Sequence, residues 1–150
     1  THLNKFKFKL IIVGNGPLKK KLKTLSKKLE VSDQIIWIDF LDDVKRFYNF
    51  IDIFLLTSLY EGLGLVFLEA MICKKPIITS NISAMKEVIK NNHNGILVKP
   101  NSPVLLSKAI LKLRNKNLRN KLGLAGFKYV KKNFSVKEMY EKTKKIYLIK

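Results

Sequence analysis

Cysteine is nearly missing from this chain: Cys73 stands alone among 150 residues, so no intramolecular disulfide can form and no cysteine or histidine cluster accompanies it for a metal. Histidine is as scarce. His2 lies at the terminus and His93 in the polar run Asn91-Asn92-His93-Asn94-Gly95, which leaves no Ser-His-Asp order and no metal-ligand spacing. Long hydrophobic runs are also absent. The longest apolar stretches, such as Ile51 to Leu56 and Leu63 to Leu68, fall far short of the roughly 20 residues that cross a bilayer, and the first residues carry no signal-peptide pattern. These absences point to a soluble, cytoplasmic protein in which Cys73 belongs to the core. With 47% apolar residues, 150 residues form one domain able to bury about 70% of its unfolded surface.

Acidic residues number eleven against thirty lysines and arginines, a net charge of +19. Such an excess attracts polyanions in general. Arginine, however, supplies only Arg46, Arg114 and Arg119, whereas readers of nucleic acid depend on its planar, bidentate geometry. No nucleic-acid partner is therefore expected. Residues 101 to 150 hold fourteen cations and two acids on helical patterns, a basic face suited to peripheral contact with the inner face of an anionic membrane.

What is present is a regular alternation of strand and helix patterns, the mark of a parallel sheet covered on both faces. Strands are expected at Phe6 to Val13, Gln34 to Phe40, Ile51 to Thr57, Pro76 to Thr79 and Ile96 to Lys99. The third is almost wholly apolar, as in a strand buried on both faces. Helices are expected at Pro17 to Glu30, Asp43 to Phe50, Gly64 to Cys73 and Ala84 to Lys90. Leu18, Leu22, Leu25 and Leu29 form the apolar stripe of the first. Three more, at Pro103 to Arg114, Asn117 to Lys132 and Val136 to Ile149, make a helical C-terminal tail. The fold class is α/β: a Rossmann-like, doubly wound parallel sheet of about five strands, with no internal repeat or linker. Ligands of such sheets bind at the carboxyl ends of the strands.

Two segments lie at those ends. Gly14-Asn15-Gly16-Pro17 is a tight strand-to-helix turn that lacks the third glycine of the dinucleotide fingerprint, so turn chemistry explains it as well as ligand binding does. Ser58-Leu-Tyr-Glu-Gly-Leu-Gly-Leu-Val-Phe-Leu-Glu-Ala-Met71 carries more. Gly62 and Gly64 uncover backbone N–H groups where a helix begins, a setting that suits a diphosphate. Glu69 stands about 7.5 Å further along that helix, within reach of a ribose, and its apolar neighbours imply partial burial. The alternative is that Glu61 caps the helix while Glu69 faces solvent. There is no P-loop lysine motif.

The run from Ser58 to Met71 resembles the signature of the family 4, or group 1, retaining glycosyltransferases of the GT-B fold. Leu10-Ile-Ile-Val-Gly-Asn-Gly-Pro17, Asp52-Ile-Phe-Leu-Leu-Thr-Ser58, Lys75-Pro-Ile-Ile-Thr-Ser80, Glu87-Val-Ile89 and Asn94-Gly-Ile-Leu-Val98 extend the likeness in order over nearly the whole chain. The resemblance implies the C-terminal, donor-binding half of GT-B. It also implies transfer of a hexose from a UDP- or GDP-sugar to a glycan or lipid acceptor with retention, without cofactor or metal. Glu61 would act at the reacting centre and on donor-sugar hydroxyls. Backbone from Gly62 through Leu63 and Gly64 to Leu65 would meet sugar and phosphate, and Glu69 the ribose. Gly14, Gly16 and the loop Asp39, Phe40 and Leu41 complete the donor site.

Departures are Asp39 and Lys74, where the family usually has glycine, and Ser83-Ala84, where it often has a glycine pair. Residues 1–150 then form one sugar-nucleotide-binding domain without the family's first strand-helix unit or its N-terminal acceptor domain. On that ground the chain by itself is expected to fold without transferring sugar. The rival readings are a non-catalytic nucleotide-sugar-binding fragment and a basic protein of membrane surfaces.

Overall fold

A computed structural model describes residues 8–62 and 64–148, which gather into two compact units that divide between Phe47 and Tyr48. In the first, β1 (Leu10–Val13) and β2 (Ile35–Ile38) pair in parallel, with Leu10 opposite Ile35 and Val13 opposite Ile38. Between them runs α1 (Lys19–Lys28), closed by a 3-10 turn over Ser32–Gln34. Lys27 and Lys28 in the last turn of α1 complement its dipole. Ser26 is its buried residue; its hydroxyl donates to the Lys23 carbonyl at 2.8 Å and meets the Ser32 hydroxyl at 3.1 Å. The leucine stripe has the expected helical spacing, yet Leu18, Leu22, Leu25 and Leu29 stay 42 to 62% exposed.

The boundary between the units falls inside α2 (Val44–Phe50). The second unit then alternates β3 (Phe54–Leu56), α3 (Leu65–Ile72), β4 (Ile77–Ser80), α4 (Ser83–Val88) and β5 (Ile96–Val98). It ends with α5 (Pro103–Lys112), α6 (Lys116–Asn133) and α7 (Val136–Tyr147). The three strands form one parallel ladder in the order β3-β4-β5. β4 lies in the middle and every residue of it is buried. β3 corrects an expectation: it is half-buried along its length, because among the described residues it pairs only with β4. An apolar run reports a strand's composition, not whether both its edges and faces are covered.

The core of this unit joins Ile78, Ile96, Val98, Ala109, Leu113 and Leu122, drawn from β4, β5, α5, the residue after it and α6. Asn94 is fully buried, and its side chain accepts from Lys90 N–H at 2.7 Å and donates to the Val88 carbonyl at 3.0 Å. It thereby ties the turn before β5. α3 ends in a Schellman motif: Lys75 N–H donates to Ala70 O and Lys74 N–H to Met71 O, both at 2.9 Å. Lys74 takes the left-handed conformation that this motif demands, with φ 58°, at the position where glycine was expected. Cys73 is half-buried rather than core, since it sits at the exposed end of α3. His93 is exposed in its turn as expected, while His2 lies outside the described residues.

Candidate functional site

The loop from β3 to α3 organises the second unit's candidate site. Ser58 Oγ donates to Glu61 Oε1 at 2.6 Å, a charge-assisted bond that selects one orientation of the half-buried carboxylate. Gly64 follows as the N-cap of α3, with φ 53° and no side-chain cap. A Cβ there would meet the ring of fully buried Phe67 at 2.7 Å, so only glycine lets the loop backbone close onto the ring. No capping side chain covers the first N–H groups of α3. Gly62 is exposed with open space around it, Leu65 is 64% exposed, and Leu63 lies outside the described residues.

Glu61 lines a cleft of about 350 Å³ together with Leu59, Tyr60, Asn81, Ile82, Ser83, Ala84 and Lys86. Glu61 is its acid and Lys86 its cation. The loop after β4 and the start of α4 thus face the loop after β3. A carboxylate from one loop, with an amide, a hydroxyl and an ammonium from the other, can bind a polyhydroxylated ligand that also carries negative charge.

Glu69 does not line that cleft. It is exposed rather than partly buried, because the apolar neighbours that implied burial turn to the other face of α3. Its Oε2 accepts from the hydroxyl of Tyr48, on α2, at 3.0 Å; the same hydroxyl lies 2.9 Å from the Val66 carbonyl. Tyr48 is 3% exposed and meets Phe54 edge-on, ring centroids 5.7 Å apart. Burial pushes its phenol above the ordinary value, and the hydrogen bond and charge of Glu69 add to the rise.

In the first unit, Gly14 and Gly16 are exposed at the carboxyl end of β1. Gly14 has φ 132° and donates its N–H to the Ile38 carbonyl at 2.9 Å, which brings the ends of β1 and β2 together. Asp39 and Phe40 are exposed and Leu41 is half-buried; Asp39 pairs with Lys19 of α1. Ser58, Tyr48 and Lys86 were not singled out from sequence, and Ser83 only as a departure from the family's glycine pair. Only Ser58 had a local signal, three residues before Glu61 in the same turn. Among the described residues no group of three or more His, Cys, Asp or Glu side chains could hold a metal ion.

Parallel strands with helical crossovers define a Rossmann-like α/β domain. The family model for "Glycosyl transferases group 1" matches residues 2–129, and the chain belongs to that family. A glycosyltransferase of Methanocaldococcus jannaschii is 30% identical over 142 residues, 93% of this chain and 34% of its own length. The UDP-Gal:alpha-D-GlcNAc-diphosphoundecaprenol alpha-1,3-galactosyltransferase of Escherichia coli is 30% identical over 139 residues, 87% of this chain and 36% of its own length. The chain therefore spans little more than a third of either relative. The crystal structure of the C-terminal domain of a group 1 family protein, LpcC of Francisella tularensis, is 30% identical with a TM-score of 0.76, covering 85% of this chain and 70% of that one. The fold is shared as well with Anabaena HepE, a complex with UDP and glucose, at 20% identity and TM-score 0.85 over 92% of this chain and 40% of that one.

Proposed function

We propose that residues 1–150 are the donor-binding half of a retaining glycosyltransferase of the family 4 type. The larger enzyme moves a hexose from a UDP- or GDP-sugar to a glycan or lipid acceptor. The observation that carries this reading is the cleft lined by both Glu61, which Ser58 orients, and Lys86, with the uncapped start of α3 following Glu61 in the same loop. Glu61 engages the donor sugar at the reacting centre. The backbone from Gly62 to Leu65 meets sugar and diphosphate, Glu69 takes the ribose, and Gly14, Gly16 and Asp39 to Leu41 lie by the base. Charge developing on the leaving diphosphate is met by the helix N-terminus and by cations such as Lys86, so no metal is required. The Escherichia coli relative, whose name specifies UDP-Gal and a lipid diphosphate acceptor, supports this donor and acceptor class.

The acceptor domain and the first strand-helix unit belong, in this reading, to the rest of a longer protein acting at the cytoplasmic face of the membrane. Among the described residues β1 pairs only with β2 and β3 only with β4, so each ladder has an edge able to take one more strand. The 150-residue chain binds donor nucleotide but does not transfer sugar. Calorimetry with UDP and GDP, and a transfer assay with their sugars, test this: binding without turnover is expected, and robust turnover by the chain alone overturns it.

A second reading, contact with an anionic membrane, rests on α7. Val136, Met139, Tyr140, Ile146 and Tyr147 share one face and are 59 to 82% exposed, with Lys137, Lys142, Lys144 and Lys145 elsewhere on the helix. Sedimentation with anionic liposomes should then occur at low salt and be lost at high salt.

A further inference from the structure

Tyr48 belongs to no motif named above, yet its hydroxyl reaches two groups of α3, the Val66 carbonyl and Glu69 Oε2. A phenol has one proton to donate, and two acceptors compete for it. Satisfying a buried hydroxyl requires only the carbonyl. Donated to Glu69 instead, the proton fixes an exposed carboxylate that would otherwise sample many rotamers. Tyr48 itself cannot turn away: it is 3% exposed and braced edge-on by Phe54.

We propose that Tyr48 is a positioning residue for the donor nucleotide: its hydroxyl holds Glu69 Oε2 so that the carboxylate is already oriented toward the ribose hydroxyls. The inference rests on the assignment of Glu69 to the ribose. Preorganisation lowers the ordering cost of binding, so its loss weakens affinity for ligands that carry those hydroxyls and spares ligands that lack them. A purely structural tyrosine would weaken both equally.

The test uses the 150-residue chain, with ligand-observed NMR titrations of UDP, GDP and their 2′,3′-dideoxy counterparts. Tyr48→Phe keeps the ring and its contact with Phe54. It should weaken binding of the ribose-bearing nucleotide about five- to tenfold, and of the dideoxy analogue less than twofold. In the Glu69→Gln background, Tyr48→Phe should add less than twofold. An equal loss on both ligands, or no loss on either, overturns the positioning role while leaving the nucleotide site intact. Failure of the unaltered chain to bind any of the four overturns the nucleotide-site assignment, and the positioning role with it.

Discussion

Ser58 holds Glu61 through a 2.6 Å hydrogen bond across one turn of loop, so the side chain assigned to the reacting centre is oriented from within its own segment. In a full-length enzyme, Ser58→Ala should lower kcat about tenfold with little change in KM, since the carboxylate keeps its charge and loses its orientation. Glu61→Gln should cost more in kcat than Ser58→Ala, and Glu69→Gln should act chiefly on donor affinity. Steady-state kinetics of the three variants check this; unchanged values in all three would remove the site assignment.

The two glycines of that loop should respond very unequally. Gly64→Ala forces a Cβ onto the Phe67 ring at a positive φ and should destabilise by about 2–4 kcal/mol. Gly62→Ala enters open space and should change stability by less than about 1 kcal/mol. Urea denaturation midpoints of the two variants give the comparison.

Lys74 and Gly123 meet where α6 crosses the end of α3. Lys74→Gly relieves a left-handed lysine worth about 1 kcal/mol, but forfeits the ammonium held 5.2 Å from the Phe127 ring, worth about 0.5 kcal/mol. A net gain of about 0.5 kcal/mol is expected. Gly123→Ala would place a Cβ 2.0 Å from the Lys74 carbonyl oxygen, and should cost at least about 3 kcal/mol by forcing the two helices apart. Thermal melts should move in opposite directions for the two changes.

The Tyr48 phenol makes stability depend on alkaline pH. Its folded value is raised above the unfolded 10.0, so its contribution is complete below pH 10 and is lost as pH rises toward the folded value. The stability difference between the unaltered chain and Tyr48→Phe should therefore shrink by about 1 kcal/mol from pH 9 to pH 11. Taking the difference between the two proteins isolates the phenol. Denaturant unfolding at the two pH values reads the change; a constant difference would show that burial does not bias the phenol.

The order of strands and helices, and the loop that carries Glu61, Gly62 and Gly64, follow from sequence alone. Alternating apolar patterns, turn glycines and an uncapped helix start are local properties, written within a few residues of where they act. What α3 and its neighbours do with those residues is not local. Glu69 was expected to be partly buried, yet it is exposed and held by Tyr48, twenty-one residues away. The run Phe47-Tyr48-Asn49-Phe50 reads only as aromatic packing, and nothing in it names a partner. Lys86 enters the Glu61 cleft because β4 lies beside β3, an arrangement set by strand pairing. β3 and β4 look alike as apolar runs, and only their places in the ladder make one half-buried and the other wholly buried. Composition and spacing thus decided which elements form and which loops follow the carboxyl ends of the strands. Tertiary packing alone decided which distant side chains meet Glu61 and Glu69, because such contacts join residues whose separation along the chain carries no periodic signal.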